Sequence, residues 1–138
     1  MRALVQRVAW ATVVVDGREV GSIGDGLCVF LGITADDDIA RTDRLAEKVR
    51  QLRVFEDETG RMNAPLGDRK VLCVSQFTLY ADTRRGNRPS FVQAAPADLA
   101  RPLYERFCDV LDARRGVFGA RMTVTLVNDG PVTLMLEV

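Results

Sequence analysis

With 138 residues and 47% hydrophobic content, the chain has apolar material for one domain with a real core. Nineteen basic residues balance nineteen acidic ones, so no net field draws it to nucleic acid, and no apolar run approaches the roughly 18 residues of a membrane span. The absence of histidine removes Ser-His-Asp and Cys-His triads, histidine general bases and histidine metal ligands together.

The opening MRALVQRVAW carries Arg2 and Arg7 but neither a long apolar region nor a small-residue cleavage site. It reads as a first strand, not a signal peptide, and the expected location is the cytoplasm. Residues 2–8 and 11–15 are predicted as strand, with a bend near Trp10 and Ala11. Asp16-Gly17 marks a tight turn, and Glu19 to Ile23 the return strand. Gly24-Asp25-Gly26 reads as another turn. The nearly unbroken apolar run GLCVFLGI (26–33) then predicts a central strand buried on both faces. Asp36, Asp37 and Asp38 suit a helix N-terminus better than a metal cluster. Ile39, Leu45, Ala46, Val49 and Leu52 continue from them as a helical apolar stripe.

Arg53 to Glu56 is expected to be a short strand, Asp57 to Gly60 a turn, and Met62 to Asp68 a loop. VLCVSQFTLY (71–80) is predicted as the second central strand. The polar, Gly- and Pro-containing stretch ADTRRGNRPSF (81–91) fits no regular element. Pro96 suits the first position of a second helix with Leu99, Leu103, Phe107 and Val110 or Leu111 on its buried face. Pro102 inside it implies either a later start or a kink, and Gly116 is expected to end it. The alternating runs Met122-Val124-Leu126 and Val132-Leu134-Leu136-Val138, joined by Asn-Asp-Gly-Pro, read as a closing hairpin. Cys28, Cys73 and Cys108 lie far apart in apolar stretches with no CxxC spacing, as buried reduced thiols do. The pattern predicts one compact mixed α/β domain over residues 1–138, with antiparallel or mixed sheets in a barrel-like arrangement and two covering helices.

Three places carry potential chemistry. Ser75-Gln76-Phe77-Thr78 puts three polar side chains at the end of an otherwise apolar strand. Left unpaired they would cost about 1–3 kcal/mol each, so they are either paired internally or line a pocket. Gly130-Pro131 is either a plain surface turn or, if its bond is cis, a rigid probe presenting two carbonyls on one side. Arg84, Arg85 and Arg88 crowd one loop, either as a solvated face or as forks for phosphate.

SQFTLYAD (75–82) and NDGPVT (128–133) together resemble the paired signature of the D-aminoacyl-tRNA deacylases. MRALVQRV, GLCVFLGIT, Arg61-Met62-Asn63, RGNRPSF (85–91) and FGARM (118–122) also fall in that family's order, so the likeness spans the chain. The resemblance implies a homodimer of barrel-like subunits that acts without cofactor or metal on the 3′-terminal adenosine of an aminoacyl-tRNA, not on DNA and not at a membrane. It implies that Ser75, Gln76, Phe77 and Thr78 form the catalytic pocket. Asn128, Gly130 and Pro131 would meet the substrate from the partner subunit, with Gly130-Pro131 cis and acting as a chiral filter. Arg84, Arg85 and Arg88 follow the pocket strand and are expected to contact tRNA. Such a site would release D-amino acids and glycine and spare L-aminoacyl esters. A non-catalytic dimeric RNA-binding module, or a hydrolase of other small D-amino-acid esters or peptides, is the competing expectation. The segments between Asn63 and Val71 and between the second helix and Phe118 look short for the family, and Pro102 is unusual.

Overall fold

The computed structural model describes residues 1–138. The elements follow in the order β1 (Arg2–Val15), β2 (Arg18–Ile23), β3 (Gly26–Gly32), α1 (Ile39–Gln51), β4 (Phe55–Glu56), β5 (Met62–Ala64) and β6 (Lys70–Ser75). A 3-10 turn at Phe77–Tyr80, α2 (Ala97–Leu111), β7 (Arg114–Arg115) and β8 (Thr123–Glu137) complete it. The sheet is built around β1. One of its edges pairs with β8 along almost its whole length; the other is shared by β3, against Arg2–Val8, and β2, against Ala11–Val15. All three pairings are antiparallel. The turn expected at Gly24–Gly26 therefore does not reverse the chain. Ile23 faces Ala11 and Gly26 faces Val8, so β2 and β3 run past β1 in one direction.

Beyond β3 the sheet becomes parallel: β6 pairs with β3, and β7 with β6. β2 closes back on β7 so tightly that a Cβ on Gly21 would lie 2.6 Å from the Arg115 carbonyl oxygen. The result is a mixed α/β domain with a nearly closed, barrel-like sheet and two helices, as the sequence predicts. β3 separates two cores, which is why its run is apolar throughout. Leu27, Val29 and Leu31 join the larger core beneath the helices, whereas Cys28 joins Val8, Val13, Leu72 and Val74 in the smaller one.

The acidic triplet behaves as a helix start. The Asp38 carboxylate accepts from the Arg41 backbone N–H as an N-cap. Asp37 accepts from the Met1 ammonium at 2.7 Å and from the Thr34 N–H and hydroxyl. Burial pushes the Asp37 carboxyl up, but these hydrogen bonds outweigh it and hold it below the usual range. Ile39, expected on the buried stripe of α1, is exposed; Thr42 takes the inward place.

Helix α2 keeps Pro102 in its interior. Its buried face is Ala100, Tyr104, Phe107, Cys108 and Leu111, about one residue round from the expected Leu99–Leu103 stripe, and Leu99 is exposed. The helix ends before Gly116, at Asp112, whose φ of 49° is left-handed. The closing hairpin is also corrected. β8 is one long strand, both halves pairing with β1, and residues between Asn128 and Thr133 bulge out opposite the step from Val8 to Gln6. No helix is long and apolar enough to cross a membrane.

Candidate functional site

β6 was expected to run to Tyr80 but stops at Ser75. The Gln76 N–H donates to the Leu31 carbonyl at 2.8 Å as the last rung, and the chain then enters the 3-10 turn, where Leu79 N–H reaches the Gln76 carbonyl at 3.2 Å. Ser75 and Gln76 are half-buried, while Phe77 and Thr78 are exposed. The Gln76 side-chain amide donates to the Thr78 hydroxyl oxygen. Phe77 and Thr78 begin the turn, so their backbone N–H groups have no acceptor within it, and none elsewhere takes them.

The turn is braced from behind. Arg2 donates to the Leu79 carbonyl at 3.0 Å, lies 4.6 Å over the Tyr80 ring, and pairs with Glu137 on β8. Burial pushes the Tyr80 hydroxyl up to about 12, with Asp37 adding to the effect, so the ring stays neutral. Arg2→Ala is expected to cost about 1–2 kcal/mol of stability and to lower turnover. Arg2→Lys should recover only part of both, because it lacks the planar stack. Thermal unfolding beside steady-state rates checks this, and equal effects of the two variants would count against the brace.

Ser75, Gln76 and Phe77 form one wall of a cavity of about 390 Å³. Leu31 and Val74 line it from the sheet, and Ala97 and Ala100 from α2. A further wall comes from Phe118, Gly119, Ala120 and Met122. This size and mainly apolar lining, with polar groups gathered at one end, are those of a small-molecule site. The FGARM segment carries little chemical signal of its own in the sequence, only an aromatic residue followed by two small ones, and it stood out solely by its likeness to a family. Thr78 does not line the cavity but sits at its edge beside Phe77.

Asn128, Gly130 and Pro131 are exposed and take no part in the cavity of their own chain. The Gly130-Pro131 bond is cis. Asn128 anchors the bulge by donating to the carbonyls of Arg7 and Val132, both at 3.0 Å, and Gln6 donates to the Thr133 hydroxyl at 3.1 Å. Arg7 pairs with the Asp129 carboxylate at 3.0 Å.

The three arginines of the 81–91 loop are not equivalent. Arg84 forks onto Asp82 at 2.9 and 2.6 Å, and this partner draws the Asp82 carboxyl down to about 2. Arg85 and Arg88 are exposed and make no ion pair. The loop is pinned by paired backbone bonds between Asp82 and Ser90 and by an edge-to-face contact of Phe91 with Phe77, 5.1 Å between centroids. The cysteines are buried and free; burial pushes Cys28 up to about 12 and Cys73 well above the thiol range, which disqualifies both as nucleophiles.

A family model described as D-Tyr-tRNA(Tyr) deacylase matches residues 4–137. The D-aminoacyl-tRNA deacylase of Thermomicrobium roseum is 54% identical over 144 residues, covering 99% of this chain and 94% of that protein. The enzyme of the same name from Roseiflexus castenholzii is 53% identical, covering 99% and 92%. Among solved structures, one described as c-Myc DNA Unwinding Element Binding Protein superimposes with a TM-score of 0.93 at 40% identity, covering 100% of this chain and 99% of that one. A probable eukaryotic D-amino acid tRNA deacylase superimposes with a TM-score of 0.85 at 17% identity, a likeness of fold alone, covering 99% and 98%.

Proposed function

The chain belongs to the D-Tyr-tRNA(Tyr) deacylase family, and on that premise we propose that it is a cytoplasmic tRNA-editing hydrolase. It cleaves the ester of D-aminoacyl-tRNA and of mischarged glycyl-tRNA, releasing the amino acid and tRNA, and spares L-aminoacyl-tRNA. The observation that carries the reading is the turn at Phe77–Thr78. It offers two unpaired N–H groups at the rim of a mainly apolar cavity sized for a small ligand.

In this reading water attacks the ester carbonyl, the two N–H groups hold the oxyanion, and the bond to the ribose oxygen breaks with a proton returning to that oxygen. An aminoacyl ester is already activated, so less barrier lowering is demanded than for an amide. The terminal ribose 2′-hydroxyl carries the proton. Thr78 as nucleophile is the weaker alternative: its hydroxyl accepts from the Gln76 amide, and no base stands ready to take its proton. Asn128, Gly130 and Pro131 of a second subunit close the site, their carbonyls occupying the space an L-residue's Cβ would need. Rejection by clash ignores the D side chain itself and leaves glycine acceptable. Exposed Trp10 and Val127, paired with each other across β1 and β8, support a second copy as the cover of that face. Arg85 and Arg88, with Arg84 where Asp82 releases it, meet the phosphates of the acceptor end.

The test follows release of labelled amino acid from matched D-, L- and glycyl-tRNA. Release of D and glycine with L spared is the expected result. Thr78→Ala should keep at least about a tenth of the turnover, since loss of a true nucleophile costs a factor of about 10⁶. The structure named for a DNA unwinding element motivates the competing reading, a non-catalytic nucleic-acid binder. Binding of DNA or tRNA with no ester cleaved would favour it.

A further inference from the structure

We propose that Arg101 is a phosphate contact at the mouth of the cavity, gripping the RNA backbone next to the terminal nucleotide. The inference rests on the reading of the cavity as the site for the aminoacylated adenosine, and it assigns a positioning role to a residue of α2, outside the 81–91 loop.

Several arginines of the chain are held by carboxylates, whereas Arg85, Arg88, Arg101 and Arg121 are not. Arg84 is held by Asp82, Arg7 by Asp129, Arg106 by Asp43 and Arg115 by Asp109. Arg101 is exposed and pairs with no carboxylate, although Asp98 and Glu105 lie one turn away on either side of it in α2. It is nevertheless not a loose side chain. Its guanidinium carbon sits 4.7 Å over the ring of Phe118, itself held against Tyr104 at 5.7 Å between centroids. Phe118 lines the cavity, as does Ala100, the residue before Arg101. The Tyr104 hydroxyl in turn donates to the Cys73 carbonyl at 2.9 Å, so the stack is tied to the strand that ends in Ser75.

Stacking occupies one face of a guanidinium and leaves its in-plane N–H fork free. A preorganised fork without an acceptor, stacked on a residue of the cavity wall in a chain with no net charge, is suited to a phosphate oxygen rather than to general solvation. A terminal nucleoside held in the cavity must lead its 5′ phosphate out through the mouth. Arg101 stacks on Phe118, which lines the cavity, and the loop that carries Arg85 and Arg88 docks through Phe91 on Phe77, which lines it too, so the strand would be gripped from two walls.

The experiment compares wild type, Arg101→Ala and Arg101→Lys on D-aminoacyl-tRNA and on the matching D-aminoacyl-adenosine, which has no phosphate. Binding of uncharged tRNA is titrated against salt in parallel. Arg101→Ala is expected to raise KM for the tRNA ester about tenfold while leaving the adenosine ester unchanged. The salt slope of tRNA binding should fall by about 0.7, the share of one phosphate on a single strand. Arg101→Lys should restore the slope. Equal losses on both esters would mean that Arg101 only supports the Phe118 wall, and an unchanged slope would mean that it meets no phosphate; either overturns the proposal. Failure of the wild type to cleave any ester would instead remove the deacylase reading, while the salt slopes would still decide for or against Arg101.

Discussion

Gly130→Ala is expected to lower the turnover of D-aminoacyl-tRNA by about tenfold to a hundredfold while leaving the subunit as stable as before. The separation of the two effects is the substance of the prediction. Within its own chain, a Cβ at Gly130 meets nothing nearer than the Asn128 side-chain oxygen at 3.8 Å, which is ordinary contact. The bulge is held by bonds that the methyl group does not touch, from Asn128 to the Arg7 and Val132 carbonyls and from Gln6 to Thr133. The subunit therefore gives no reason for glycine at this position. A reason exists only if another molecule comes close, and in the proposed dimer that molecule is the substrate in the partner's cavity. Single-turnover rates on D-aminoacyl-tRNA, with melting curves on the same samples, check it. Unchanged rates would place the tip away from the substrate and remove both the filter and the cross-subunit site.

The sequence made the sheet's centre legible and its partners illegible, for a physical reason. GLCVFLGI is apolar at every position because β3 faces a core on both sides, whereas a strand with one wet face would alternate. The two alternating runs flanking Asn128–Pro131 are equally good as a hairpin or as two lengths of one strand lying on a third. Period-two alternation says which face is buried, not which neighbour is bonded. β1, at 14 residues, is long enough to serve both lengths. The same blindness applies at Gly24–Gly26, where a turn-like triplet interrupts a ladder without reversing it.

The site was legible to different depths. Three polar residues closing an apolar strand marked Ser75–Thr78 without any structure, and the strand ends there because Gln76 makes the last rung. The cavity's other walls were less visible. Helical spacing points to Leu99 and Leu103 on α2, but small Ala97 and Ala100 leave the space, and Tyr104 packs inward because its hydroxyl finds the Cys73 carbonyl. The pairing of Arg84 with Asp82, two residues away, is a local contact that a count of charges around the loop does not reveal.

Gly26→Ala is the substitution expected to harm the fold most. Gly26 opens β3 and is flanked by backbone on both sides, Val8 of β1 on one and Lys70 of β6 on the other. A Cβ there would overlap the Lys70 carbonyl oxygen outright and lie 3.0 Å from its carbon and 3.2 Å from the Lys70 nitrogen. These are main-chain atoms, so no rotamer change relieves them; either the strands part or the end of the parallel ladder frays. Fraying is costly, because the next pair, Leu27 and Val71, is buried in the larger core. A loss of about 3–5 kcal/mol follows, a large share of the roughly 5–15 kcal/mol that holds a domain together. Denaturant unfolding should show the midpoint falling accordingly, or the variant failing to accumulate in folded form. Turnover should fall with it beyond the folded fraction, since the ladder that begins at Gly26 and Lys70 ends at Leu31 and Ser75, beside the turn that carries the two N–H groups. A variant as stable and active as its parent would show that β3 and β6 can part at this end without cost, and that the position of the site does not depend on this contact.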